Sequence, residues 1–123
     1  METRTAFIFR RDDGIISMVI KDNAEVDIEA AKENQEAFIE LVGKEECLLL
    51  VSFGKDYYAT KEAKEFAANS HIGRQVIAEA IIINNLAHKI LINFYISFHK
   101  PKRSIRMFTK EAEALKWLKT FVK

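Results

Sequence analysis

The chain has 123 residues, enough for one domain around one core, and its 49% hydrophobic and 30% charged content belongs to a folded globular protein rather than a disordered one. Its single cysteine, Cys47, excludes an intrachain disulfide and fits a reducing, cytoplasmic setting. The formal charge of +1 hides an asymmetry: from Ala80 to Lys110 there is no acid, while Lys89, Lys100, Lys102, Arg103, Arg106 and Lys110 supply six positive charges.

In chain order, "RTAFIFRRDDGIISMVIK" reads as a hairpin. Phe7 to Phe9 and Ile15 to Ile20 are rich in β-branched and aromatic residues, and Asp13-Gly14 suits a tight turn with positive φ. "METRTAFIF" lacks the long apolar region of a secretory leader. The spacing then turns helical: Asp27 is an N-cap, Ile28, Ala31, Phe38 and Val42 share a face, and Gly43 suits the exit. "CLLLVSF", Cys47 to Phe53, is an unbroken apolar run, as expected of a strand buried on both faces.

Thr60 caps a short second helix with Ala63, Phe66 and Ala67 on its buried side, and Ala78 to Ile83 forms a second doubly buried strand. A third helix runs from Leu86 to Phe98, with Lys89 its one charged residue. Pro101 stops it. "SIRMF", Ser104 to Phe108, is a short strand, and Thr109 caps a last helix on which Ala112, Leu115, Leu118 and Phe121 share a face flanked by Trp117. The order ββαβαβαβα over residues 1–123 implies a single α/β domain with a mostly parallel sheet, right-handed crossovers and an antiparallel N-terminal hairpin strand.

That order, with "LLLVSFGKDYYATKEAKEFAA" and "NFYISFHKPKRSIRMFTKEAEALKWL", resembles the small STAS-like proteins, akin to the sporulation anti-sigma-factor antagonist and, more distantly, the lipid-carrying CRAL-TRIO domains. The resemblance spans nearly the whole chain and rests on pattern and topology. It implies a regulatory or scaffolding module, some relatives being associated with lipid or membrane. In true antagonists the loop after the third strand, which is buried, leads into a helix whose first residues include a phosphorylatable serine preceded by aspartate. Ala59-Thr60 stands at the matching place, so the aspartate is missing and threonine replaces serine.

No enzymatic constellation is present in the sequence, and no cofactor is expected. His71, His88 and His99 have no shared metal-ligand spacing. Gly54-Lys55 follows a buried strand, but one glycine cannot build a phosphate-binding loop. Cys47, with no activating base nearby in sequence, reads as an inert core thiol. Lys55, Tyr57, Tyr58 and Thr60 form a ligand or switch loop at the carboxyl end of a central strand, where open α/β sheets take ligands; the plainer role of the tyrosines is to cover the core. A phosphate on Thr60 would sit at the positive end of a helix dipole, although the hydroxyl also serves simply as a cap.

The third helix raises the main functional question. A helical wheel puts Leu86, Ala87, Ile90, Leu91, Phe94 and Phe98 toward the sheet, His88 and Tyr95 on the flank, and Ile92 and Ile96 outward among Asn85, Lys89 and Asn93. Covering an isoleucine fully yields roughly 1.5–3 kcal/mol. The expected surface is therefore Lys89, Ile92, Asn93 and Ile96, continued by Lys100, Lys102, Arg103 and Arg106. Its occupant is a protein, including a second copy in a homodimer; the alternative is an anionic lipid or membrane surface attracted by the basic run. The aromatics do not alternate with bases as a stacking platform requires, so nucleic acid is not expected.

Overall fold

A computed structural model describes residues 1–69, 75–99 and 103–122; within these, the side chains of 68, 69, 91 and 94–99 are not described. Strands β1 (Ala6–Arg10) and β2 (Ile16–Ile20) form the antiparallel hairpin, in register from Ala6 opposite Ile20 to Arg10 opposite Ile16. Its turn closes as the Asp-Gly pair foretells. Gly14 has φ +87°, and the Asp13 carboxylate accepts the Ile15 N–H at 3.1 Å.

Strand β3 (Glu25–Val26) precedes helix α1 (Ile28–Val42). The Asp27 side chain accepts the Ala30 N–H at the start of α1, and Gly43, with φ +65°, ends it by donating its N–H to Ile39. Next come β4 (Cys47–Phe53), β5 (Tyr58–Ala59), α2 (Lys61–Asn69), β6 (Val76–Ile82), α3 (Leu86–His99), β7 (Ser104–Phe108) and α4 (Glu111–Lys119). The main sheet has the order β1-β2-β4-β6-β7 and is parallel everywhere except in the hairpin. The two strands read as doubly buried, β4 and β6, lie inside it.

Two short strands, β3 and β5, are additions to the expected order. They pair in parallel, Glu25 with Tyr58 and Val26 with Ala59, as a separate two-stranded sheet. Strands of two residues carry no periodicity to read.

The sheet has unequal faces. Against one face, Ala30, Ala37, Phe38 and Val42 of α1 and Ala63 of α2 join Ile8, Ile16, Leu49, Val51 and Ile81 in the larger core. On the other, Ala114 and Leu118 of α4 seal Leu48, Leu50, Ala78 and Ala80, with Trp117 and Phe121 at the margin. The buried stripe of α4 is thus centred on Ala114 and not Ala112, which is exposed. Thr109 is not its cap either: the capping position is Lys110, which makes no side-chain capping bond.

A buried polar contact ties α1 to the start of β1. Asn34 Nδ2 donates to Thr5 Oγ1 at 3.0 Å, and Asn34 Oδ1 accepts from the hydroxyl of Thr3. Both Asn34 and Thr5 are buried, so truncating one leaves the other without water. Asn34→Ala is expected to lower stability by about 1–3 kcal/mol in chemical denaturation, and an unchanged midpoint would show that the bond contributes nothing net.

Candidate functional site

The carboxyl ends of β4 and β6 bring together residues that lie far apart in the chain. After Phe53, Gly54 passes so close to the β2–β3 turn that a Cβ there would collide with the Asp22 backbone. That contact sets the path of the following loop. The Lys55 N–H donates to Asp22 Oδ1 at 2.7 Å, the Asn23 N–H donates back to the Lys55 carbonyl at 2.7 Å, and Asp56 turns the chain with φ +55°. Lys55 and Tyr58 are left exposed, while Tyr57 turns inward.

Tyr57 stacks on Phe53 with ring centroids 4.6 Å apart, and His88 of α3 meets Phe53 edge-on at 4.7 Å. Tyr57 Oη lies 2.7 Å from His88 Nε2. On its other side the ring accepts: the Asn84 N–H donates to Nδ1 at 3.1 Å. An accepting Nδ1 fixes the neutral tautomer with hydrogen on Nε2, so Nε2–H donates to the Tyr57 oxygen. The helix start is held at two further points, since Asn85 Oδ1 accepts the His88 N–H at 2.8 Å and the Asn85 carbonyl accepts from Lys89.

Burial sets the electrostatics. His88 is 7% exposed. Loss of water, with the Lys64 charge second, holds its pKa below the ordinary 6.5. Burial pushes the Tyr57 phenol up to about 12, so it stays a neutral hydroxyl. Thr60 spends its hydroxyl as the cap of α2, accepting the Ala63 N–H at 3.1 Å.

This cluster overturns the expected orientation of α3. The wheel sends Ile92 outward and Leu86 and Ile90 inward; the structure does the reverse. Ile92 is half-buried against the main core, whereas Leu86 is 71% and Ile90 61% exposed, one turn apart on the face that carries Lys89 and Asn93. The physical reason is that α3 is apolar on all sides, so hydrophobicity alone gives little direction. His88, whose two nitrogens find partners only inside, sets the rotation. The side chain of Ile96 and the whole of Lys100 and Lys102 lie outside the described residues.

The basic segment is also less free than its composition suggests. Arg103 Nε lies 2.8 Å from Glu79 Oε1 of β6, with both side chains nearly buried. Arg106 is exposed on β7 and rests over the Phe108 ring, 5.3 Å from its centroid. At the start of the central strand β4, Cys47 is buried and desolvation raises its thiol to about 11, so it is a poor nucleophile. Among the described residues, no three His, Cys, Asp or Glu side chains gather as a metal site needs, and no helix is long and apolar enough to cross a membrane.

Known structures carry the same architecture. An uncharacterised protein of the DUF3478 family from Shewanella loihica PV-4, described as having a SpoIIAA-like fold, superposes with a TM-score of 0.63. The match covers 96% of this chain and 98% of that one at 16% identity, and so establishes the fold as STAS-like. No curated protein matches the sequence. The model of a domain of unknown function, DUF7793, matches residues 9–122, and the chain therefore belongs to the DUF7793 family.

Proposed function

We propose that this protein is a non-enzymatic STAS-like module that acts by protein contact through the outward face of α3, with a second copy of the chain as the occupant. The observation that carries the reading is the pair Leu86 and Ile90. Two large aliphatic side chains, four residues apart, stand in water on the same helix face. Complete burial of each is worth roughly 1.5–3 kcal/mol, and a two-fold contact counts every residue twice. Asn93 and Lys89 border the pair and supply a polar rim. A lipid surface would use the same two side chains, but Arg103, one of the charges expected to attract anionic headgroups, is already neutralised by Glu79.

Light scattering on the native protein and on the double variant Leu86→Asp/Ile90→Asp tests the proposal. A dimer for the native chain and a folded monomer for the variant are the expected results. A native monomer would overturn self-association. Salt-sensitive binding of that monomer to vesicles containing anionic lipid would then identify a membrane as the occupant instead.

A further inference from the structure

We infer that the amino end of α3 is held by a latch that opens when His88 is protonated, so that acidification loosens the helix carrying Leu86 and Ile90. The effect on docking rests on the function proposed above; the latch itself does not. Its geometry is a chain of contacts across three segments. Tyr57, from the loop after β4, meets Nε2, and the backbone of Asn84, just beyond β6, donates to Nδ1. The His88 main chain in turn closes the first turn of α3 on Asn85.

Only the neutral ring fits this arrangement. Protonation at Nδ1 turns an acceptor into a donor that points at the Asn84 N–H. One hydrogen bond is lost and two donors are left facing each other at about 3.1 Å. The bond from Nε2 to Tyr57 survives, so the break falls on the strand-to-helix connection. The groups around the ring give the new charge little support. Lys64 of α2 is a cation, Tyr57 keeps its proton, Phe53 of β4 offers a ring edge, and Lys89, next along α3, is a second cation that faces solvent. The imidazolium gains water only if α3 moves away from Phe53.

The sign follows from linkage. The folded protein holds His88 below the ordinary 6.5, so between that lowered value and 6.5 the unfolded chain binds more protons. The contribution of His88 to stability is complete above 6.5 and is lost as the pH falls through the lowered value. Acid therefore favours the open latch.

The test is amide hydrogen exchange on the full chain by NMR at about pH 7.5 and 5.5, corrected for intrinsic exchange, together with a titration of the His88 ring. The Asn84 amide is expected to shift with the same midpoint as the ring. Protection of the His88 and Lys89 amides should fall about tenfold in acid, while that of Ala31 in α1 should hold. His88→Gln, which does not titrate, should remove the pH dependence. A ring that titrates while the Asn84 amide and the α3 protection stay unchanged would overturn the latch. Light scattering at both pH values separates the two ideas. A dimer that dissociates in acid links them, whereas a monomer at both defeats self-association and leaves exchange to decide the latch.

Discussion

Replacing Arg103 with methionine will lower the free energy of unfolding by about 3 kcal/mol, measured from urea midpoints. The Arg103–Glu79 pair is 12% and 11% exposed at its two side chains, so neither charge is well hydrated. Glu79 sits in β6 opposite Leu49 of β4 and Ile105 of β7, an apolar neighbourhood for a carboxylate. Without the guanidinium the desolvation cost remains and the attraction that offsets it is gone. The double variant Glu79→Leu/Arg103→Met should recover most of the loss, because replacing both partners of a buried pair with apolar side chains is often neutral or better. If the single and double variants lose equally, the ion pair is not what holds this connection.

Phe38→Ala is the other large effect, expected at about 3–5 kcal/mol in the same measurement. Phe38 is wholly buried and is the largest such side chain in the molecule's described core. It projects from α1 into the layer that also receives Ile8, Ile16 and Leu49. Alanine removes the transfer free energy of the ring and leaves a cavity. A loss below about 1 kcal/mol would mean that α1 can settle onto the sheet without it.

The sequence was legible where one segment carried its own message. Cys47–Phe53 is legible to the residue as an unbroken apolar run, and Ser104–Phe108 as a short stretch in which Arg106 stands between Ile105 and Met107. Asp27 and Gly43 marked α1 because capping is a local event. What stayed hidden was non-local. The sequence marks Tyr57 in a loop and His88 on a helix, but only tertiary structure shows that they meet, 31 residues apart in sequence. That meeting decides which side of α3 faces water, so the candidate surface moved from Ile92 to Leu86 and Ile90. Composition likewise hides the partner of Arg103, because Glu79 lies 24 residues earlier in the chain.

The sheet order also governs how the chain folds. The β1–β2 hairpin is the one pairing in the main sheet between near neighbours in sequence. Every other ladder joins distant segments, as when Ile16 meets Leu49, Leu48 meets Ala78 and Ala78 meets Ser104. Each closes a loop of roughly thirty residues, at an entropy cost near 3 kcal/mol before any contact repays it. Such non-local pairing folds more slowly than the local contacts of a helical bundle. During that interval CLLLVSF, destined for the centre of the sheet, waits unpaired, and it is the segment by which a nascent or heated chain would aggregate.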